Sequence, residues 1–294
     1  MRRMLFGKST LIPFLALSLA AVVYAQQTSG GATTKAGQSR KAQTVQSAPD
    51  LEPRAIALLK ACSDRLSAAK SLSFIAVELS EQPSREGHPI AYATQSEVVL
   101  QRPNRLAVIT TGDGPASEFY YDGSKVAAYA PADNLLAIAD APPTIDATLE
   151  AIYHTAGIYF PFTDLIVADP YKDMAEGLKL AYYVGQSNVV EGMTTEVVAY
   201  IDNDVFVQAW IGTEDRLPHR VRAVFLNDPE HLRHDLELSN WQLDLPTSTD
   251  TFMPTHAESA TRIPFAHPHP QATGTSGKTM PAKKSQQSPS EVNP

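Results

Sequence analysis

The 294-residue chain contains one cysteine, Cys62, so no disulfide can form within it. It has no Gly-rich phosphate-binding loop, no Gly-x-Ser-x-Gly nucleophile elbow and no His-Glu-x-x-His metal motif. Its 24 basic residues are outnumbered by 32 acidic ones, which argues against binding to nucleic acids or anionic membrane surfaces. We therefore expect no enzyme activity, no cofactor, no metal site and no nucleic-acid partner.

The single cysteine lies in a stretch with helical periodicity. Ile56, Leu59, Leu66 and Ala69 recur around Cys62 at intervals of three to four residues or their multiples, which places one apolar stripe on a helix facing a core. We interpret Cys62 as a buried packing residue, and the alternative is a catalytic nucleophile.

The first 25 residues have the organisation of a secretory signal peptide. Three basic residues in the first eight precede a mainly apolar stretch at 11–23, and Ala25 ends a small-residue cleavage site. The apolar stretch is short for a membrane span; an uncleaved anchor is the alternative. We predict secretion across the inner membrane to the periplasm, with a mature chain that starts at Gln26 and has no stable membrane anchor. Because residues 1–25 hold three bases and no acid, that chain carries a formal charge of −11.

Two low-complexity stretches flank the rest of the chain. Residues 26–49 are rich in Gln, Ser, Thr, Gly and Ala, and residues 267–294 in Pro, Ser, Gln, Lys and Gly. Such compositions bury too little apolar surface to offset the entropy of ordering the chain. We predict a disordered linker, one domain at 50–266 and a disordered tail.

The domain has an α+β pattern. A helix is predicted at 50–70, with Asp50 as its N-cap, and a second helix at 144–157, followed by short helical pieces up to 177. About eleven strands are predicted, at 73–81, 89–101, 105–111, 116–122, 125–130, 134–139, 178–187, 190–201, 205–213, 218–227 and 231–243.

The last long strand indicates how the sheet is exposed. Leu232, His234, Leu236 and Leu238 alternate with charged residues at the intervening positions. Since side chains of a strand point alternately to opposite faces, one face of the sheet is apolar and the other solvated. An open antiparallel half-barrel whose concave apolar face is covered by the helices satisfies this pattern.

Four short motifs follow one another in a characteristic order. They are a helix-to-strand junction at 65–74, Arg-Pro-Asn at 102–104, a Tyr-Asp-Gly-Ser-Lys hairpin at 121–125 and Phe-Met-Pro at 252–254. In this order they resemble the lipoprotein localisation factor LolA and its LolB- and LppX-like relatives, which are periplasmic lipoprotein carriers. The chain is most similar to a branch of that superfamily defined as a predicted periplasmic domain of unknown function. The resemblance implies the half-barrel over roughly 50–265.

The resemblance assigns a role to Arg102. The matching arginine of LolA reaches across the cavity and donates hydrogen bonds to backbone carbonyls of the covering helices, so Arg102 is predicted to be a lid latch. A guanidinium group suits this role because it has five donors and a permanent charge. The alternative is an arginine that ends a strand in solvent.

The predicted cavity wall combines aromatic and aliphatic residues of several strands. The alternative is that they pack on the helices as a closed core, and His234 in particular is either a hydrogen-bonded core histidine or a ligand contact. The predicted wall residues are Tyr92, Phe119, Tyr121, Val221, Phe225, His234, Leu236 and Leu238.

Two polar motifs resemble metal sites. His231 and His234 have an odd spacing that places them on opposite faces of a strand, so they cannot share one ion. The Asp-Asn-Asp of 202–204 lacks the glycine and glutamate of a calcium loop and is interpreted as a turn. We predict no metal at either position.

The expected function is non-enzymatic binding. The protein is predicted to carry or sense acyl chains of a lipid or lipoprotein in the half-barrel cavity. The alternative is a module of the same fold with a closed cavity that binds an envelope protein, as in envelope-stress regulators with a related fold.

Overall fold

The computed structural model describes residues 50–267, which form one sheet of twelve strands with helices against it. The strand order is β12-β6-β5-β4-β3-β2-β1-β11-β10-β9-β8-β7, and every pair is antiparallel except β12 and β6. The predicted α+β half-barrel is confirmed.

In chain order the elements are α1 (Pro53–Ala68), β1 (Ser71–Pro83), β2 (Pro89–Gln101), β3 (Arg105–Gly112), β4 (Ser117–Tyr121), β5 (Lys125–Ala130), β6 (Leu135–Asp140), α2 (Ile145–Ala156), α3 (Thr163–Ile166), α4 (Pro170–Gly177), β7 (Leu178–Ser187), β8 (Thr195–Asp202), β9 (Val205–Gly212), β10 (Pro218–Phe225), β11 (Arg233–Leu243) and β12 (Thr261–Ile263).

The strand that sequence patterning did not predict is β12. It has three exposed residues and pairs in parallel with β6. Three residues are too few to show an alternating pattern, which is why the prediction stopped at about eleven strands. The predicted signal peptide, the linker and residues 268–294 of the tail lie outside the described residues. His267, the first residue of the predicted tail, donates its backbone N–H to Thr155 O at 3.0 Å.

The start of α1 differs from the prediction. Glu52, not Asp50, is the N-cap residue, and no side chain caps the helix. The backbone of residues 50–52 pairs instead with the outer edge of β7: Ala181 donates to Asp50 O and Glu52 donates to Ala181 O, both at 2.8 Å. The Glu52 carboxylate also accepts the N–H of Tyr183 at 2.8 Å. Residues 50–52 thus protect part of an edge strand that would otherwise expose unpaired backbone groups.

The ends of α2 follow from its sequence. Thr144 precedes the helix and its Oγ1 accepts the N–H of Ala147 at 3.3 Å, as an N-cap threonine does. Gly157 ends the helix in the left-handed conformation, with φ of 69°, which glycine adopts without a steric penalty. The predicted helix at 144–157 is therefore Ile145–Ala156 with one capping residue at each end.

The hairpin between β4 and β5 is built around Asp122. Its Oδ1 accepts the backbone N–H groups of Ser124 and Lys125, both at 2.8 Å. Gly123 has φ of +102°, and a Cβ at this position would lie 2.7 Å from the Asn104 side chain. The Asp-Gly pair is thus required by both turn geometry and close packing.

Apolar side chains form two clusters on opposite faces of the sheet. The larger cluster lies between the helices and the concave face, the face that carries Phe74 and Leu238. The smaller cluster lies on the convex face, where Phe252 and Ala257 pack against Tyr120 and Leu136. The chain after β11 therefore covers part of the convex face before it reaches β12.

Candidate ligand-binding face

The concave face is formed by alternate residues of neighbouring strands. Phe74 of β1 is paired with Val98 of β2, Val98 with Val108 of β3, and Val108 with Phe119 of β4. All four side chains are buried. The pairing of these strands is in continuous register, so every second residue along each lies on the same face. The sheet thus presents a continuous apolar surface.

Aromatic side chains between α2 and α4 fill this surface. We call residues 158–168 the covering segment; it includes α3. Within it, Phe162 contacts Phe74 edge to face and Phe160 contacts Phe119, with ring centroids 5.4 Å apart in both pairs. The two covering rings stack on each other at 5.7 Å. Both rings are buried, so the covering segment inserts apolar surface where the half-barrel would otherwise be open.

Arg102 lies where the sheet, α1 and the covering segment meet. Its Nη1 donates to Ile166 O at 3.2 Å and its Nη2 donates to Leu66 O at 3.5 Å. The adjacent Pro103 O accepts the N–H of Ile145, the first residue of α2, at 3.0 Å. The turn between β2 and β3 therefore contacts three of the elements that close the concave face. The predicted role of Arg102 as a latch is consistent with these bonds and stays a prediction.

The Arg102 guanidinium is incompletely satisfied. Its Nε is buried and has no hydrogen-bond partner in the described part of the chain. Burial lowers the pKa of Arg102, and the charge of Asp146 opposes this shift. The Asp146 carboxylate also accepts the N–H of Ala168, at 3.1 and 3.2 Å from its two oxygens. The end of the covering segment is thus held by an acidic group whose charge also favours the cation.

The eight predicted wall residues divide into two groups. Phe119, Tyr121, Leu236 and Leu238 are buried beneath the helices. Tyr121 OH also donates to Pro142 O at 2.5 Å. The other four lie at or near the rim of the face, where the helical cover ends: half-buried Val221 and His234, and exposed Tyr92 and Phe225.

The rim combines exposed apolar side chains with polar ones. Tyr92 is 45% exposed and Phe225 46% exposed, so large apolar surfaces face solvent at the end of the concave face. His234 packs edge-on against Phe225, with ring centroids 5.4 Å apart. Its Nδ1 lies 3.6 Å from Glu78 Oε1. His234 is therefore a partly exposed rim residue with an acidic neighbour.

The structure places residues of both polar motifs in turns. His231 lies in the turn before β11, with φ of 49°, and not in the strand itself. Within residues 50–267 no group of three or more His, Cys, Asp and Glu side chains is arranged to hold a metal ion. Asn203 forms the turn between β8 and β9 with φ of 51°.

Sequence analysis missed a cluster around the buried His219. This ring is 3% exposed; its Nδ1 lies 2.8 Å from Glu191 Oε2 and its Nε2 lies 2.9 Å from Asp215 Oδ2. The three residues belong to different turns and to the start of β10, so only tertiary structure brings them together. The cluster joins the β7–β8 and β9–β10 connections at one end of the sheet.

Cys62 occupies the core, as the helical periodicity suggested. It is 8% exposed. Burial, with a smaller contribution from the charge of Asp215, raises the pKa of the Cys62 thiol to about 12. A thiol that stays protonated is a poor nucleophile, which favours the packing role.

The fold and the covered apolar face define a class of protein, the open half-barrel with a helical cover. Within that class the chain belongs to the family described as predicted periplasmic protein (DUF2092), whose model matches residues 55–266. The predicted family resemblance is confirmed. No curated protein matches the chain significantly.

Solved structures similar to the chain come from several bacteria. The MucA/MucB complex of Pseudomonas aeruginosa is 15% identical with a TM-score of 0.37, and the match covers 69% of this chain and 62% of that one. A putative outer membrane lipoprotein-sorting protein domain from Vibrio parahaemolyticus is 10% identical, with a TM-score of 0.34 and coverage of 69% and 98%. A LolA superfamily protein from Nitrosomonas europaea is 9% identical, with a TM-score of 0.30 and coverage of 69% and 98%. In residues 50–267 no helix combines the length and apolar character needed to cross a membrane.

Proposed function

We propose that this protein is a non-enzymatic periplasmic binding protein whose concave face receives an acyl chain of a lipid or lipoprotein. The observation that carries the proposal is the covering segment, which buries Phe160 and Phe162 on an apolar sheet and is bonded to Arg102 at Ile166 O. An acyl chain presents the same kind of surface as these rings. It can therefore replace them on the sheet when the segment moves away.

The energetics of such an exchange are favourable. Each methylene group removed from water contributes about 0.8 kcal/mol, so an acyl chain of ordinary length offsets the loss of a few aromatic contacts. Arg102, as the latch, needs only to exchange two hydrogen bonds to neutral carbonyls. No catalytic group is required for binding or release.

The rim supplies a first contact for the incoming chain. Ile90, Tyr92 and Phe225 are each more than 40% exposed, and Tyr92 lies on the same face of the sheet as the buried Val98. Exposed apolar side chains that continue a buried apolar face are typical of an entrance. The location agrees with the family description as periplasmic, and residues 1–25 are proposed to direct secretion.

A second function is favoured by the closed state of the face. Phe119, Tyr121, Leu236 and Leu238 are all buried in the protein's own core, so the same fold is complete as a module that binds an envelope protein. In that case the rim residues would contact the partner and the covering segment would stay in place.

Binding of a fluorescent long-chain fatty acid distinguishes the two functions. Tyr92→Ser at the rim is expected to weaken binding, because it removes apolar surface from the entrance. Tyr182→Ser is the matched control: this tyrosine is 38% exposed and pairs with Ala199 on the opposite face from the buried Val198. Equal loss in both variants, or no saturable binding by the wild type, would contradict the carrier function.

A further inference from the structure

A groove lies beside Arg102 and separate from the covering segment. Its volume is about 830 Å³, within the usual range for small-ligand sites. None of its lining residues belongs to residues 158–168. The lining comes from the end of α1, the facing ends of β1 and β2 and the chain after β11: Ala68, Lys70, Ser71, Gln101, Arg102, Pro103, Asp244, Leu245, Pro246 and Thr247.

The groove is locally cationic in an acidic chain. Its lining residues include two bases, Lys70 and Arg102, and one acid, Asp244, whereas the whole chain carries a formal charge of −8. Asp244 Oδ1 already accepts the backbone N–H of Lys70 at 2.8 Å. The Lys70 ammonium makes no ion pair with the described residues. An excess positive charge is therefore available to a ligand.

Hydrogen-bond donors complete the lining. Thr247 Oγ1 donates to Gln101 Oε1 at 2.9 Å, so the remaining group of this amide, Nε2, is a donor. Ser71 Oγ donates to Leu245 O at 2.7 Å, which fixes the chain after β11 against β1. Two cations and an amide donor around one groove suit an oxyanion such as phosphate.

Arg102 would form stronger hydrogen bonds with an oxyanion than it forms with its present acceptors. Its present acceptors are two neutral carbonyls at 3.2 and 3.5 Å, and its Nε has no partner in the described residues. A phosphate offers charge-assisted bonds in a planar, two-point arrangement, which are shorter and roughly twice as strong as neutral ones. An oxyanion in the groove thus competes directly with the carbonyls of Leu66 and Ile166.

We propose that this groove binds a phosphate group, and that its occupation draws Arg102 away from Leu66 and Ile166 and so releases the covering segment. The second half of the proposal rests on the proposed function, since it uses Arg102 as the latch. The phosphate group comes either from free phosphate or from a lipid headgroup. In the second case the site would couple release of the cover to contact with a phospholipid.

The first test is direct binding to the mature protein, without an acyl ligand. Inorganic phosphate is titrated by calorimetry against a chloride control of equal ionic strength, which separates binding from screening. Lys70→Gln is expected to weaken binding about tenfold, because it removes a charge-assisted donor. Lys172→Gln on α4 makes the same charge change outside the groove and is expected to leave binding unchanged. No saturable binding, or equal loss in both variants, would overturn the site.

The second test follows the covering segment by hydrogen exchange. Phosphate at the concentration that half-saturates the wild type is expected to accelerate exchange in residues 158–168 of the wild type much more than in Lys70→Gln, and to leave β10 and β11 protected in both. Binding without this acceleration, with free phosphate and with phosphatidylglycerol vesicles alike, would overturn the coupling to the cover.

Vesicles identify the source of the phosphate group. Acceleration of exchange by phosphatidylglycerol vesicles that is lost in Lys70→Gln, without acceleration by free phosphate, assigns the site to a headgroup. Acceleration by free phosphate but not by vesicles assigns it to the free ion. The phosphate titration and the phosphate-induced exchange need no acyl binding to the concave face. Loss of fatty-acid binding in Tyr92→Ser therefore tests the proposed function separately.

Discussion

At the scale of single residues, Arg102 is the proposed latch of the concave face. Its guanidinium joins the β2–β3 turn to α1 through Leu66 O and to the covering segment through Ile166 O. A hydrogen bond to a charged group contributes roughly 1.5–3 kcal/mol. Loss of one such bond is enough to raise the open population about tenfold or more.

Arg102→Leu is expected to accelerate hydrogen exchange in residues 158–168 and to leave β10 and β11 protected, because the carbonyls it serves lose a charged donor. Arg105→Leu is the control, since the Arg105 guanidinium lies over the Phe252 ring on the convex face. Unchanged exchange in Arg102→Leu would contradict the latch. Acceleration throughout the chain would show that Arg102 supports the fold globally.

Asp122 is expected to make the stability of the β4–β5 hairpin depend on pH. Burial alone would raise the pKa of its carboxyl, but hydrogen bonds from the backbone of Lys125 and Ser124 and the charge of Lys125 hold that pKa below its ordinary value. A carboxyl whose folded pKa is lowered contributes stability above its unfolded pKa of about 3.9. That contribution is lost as pH falls through the folded pKa.

Asp122→Asn is therefore expected to lower the free energy of unfolding at pH 7 by about 1 kcal/mol. The difference from the wild type should shrink as the pH falls below about 4. Urea unfolding at a series of pH values measures both. A difference that stays constant with pH would show that the charge of Asp122 makes no contribution.

At the scale of elements, the covering segment is the part that distinguishes a carrier from a closed core. Phe162 is fully buried against the concave face, and Phe252 is equally buried in the convex cluster. Deleting a buried phenyl ring leaves an apolar cavity and costs about 3–5 kcal/mol. Replacing Phe162 or Phe252 by alanine thus removes the same aromatic ring from one or the other face of the sheet.

Phe162→Ala is expected to melt at a lower temperature than the wild type and to recover part of that loss when decanoic acid is added, because an apolar cavity binds apolar ligands. Phe252→Ala should lose a similar amount of stability without recovery. Thermal unfolding followed by circular dichroism measures both variants. Equal recovery, or none in either, would contradict acyl binding on the concave face.

The sequence was most informative where local chemistry decides the structure. The Asp-Gly hairpin, Thr144 at the start of α2 and the alternating residues of β11 from Arg233 onward appear in the structure as predicted, whereas His231 and Leu232 precede the strand. The helix cap at Asp50 was wrong, because pairing of residues 50–52 with β7 replaces it. Local preference could not reveal that tertiary contact.

At the scale of the whole molecule, the features that could not be predicted from the sequence are those that depend on long-range contacts. Phe252 packs on Tyr120, and His219 meets Glu191 from another turn; neither pair has a signature in sequence spacing. The division of the wall residues into a buried and a rim group depends on where the cover ends. Strand patterning alone does not locate that boundary.

The predicted flanking segments are expected to contribute little to stability. A chain of residues 50–267 contains the described sheet, both clusters and the backbone bond from His267 to Thr155, so it should melt within a few degrees of the mature chain. Differential scanning calorimetry of the two chains measures this. A much lower melting temperature for the shorter chain would show that a flanking segment packs on the domain.

Native mass spectrometry of the mature protein, purified from the periplasm without detergent, tests the central claim most directly. The account predicts a population heavier than the chain by the mass of an acyl lipid or an acylated peptide, with the same species released into organic solvent. The contradicting result is the bare mass of the chain alone, both as purified and after incubation with periplasmic lipid extract.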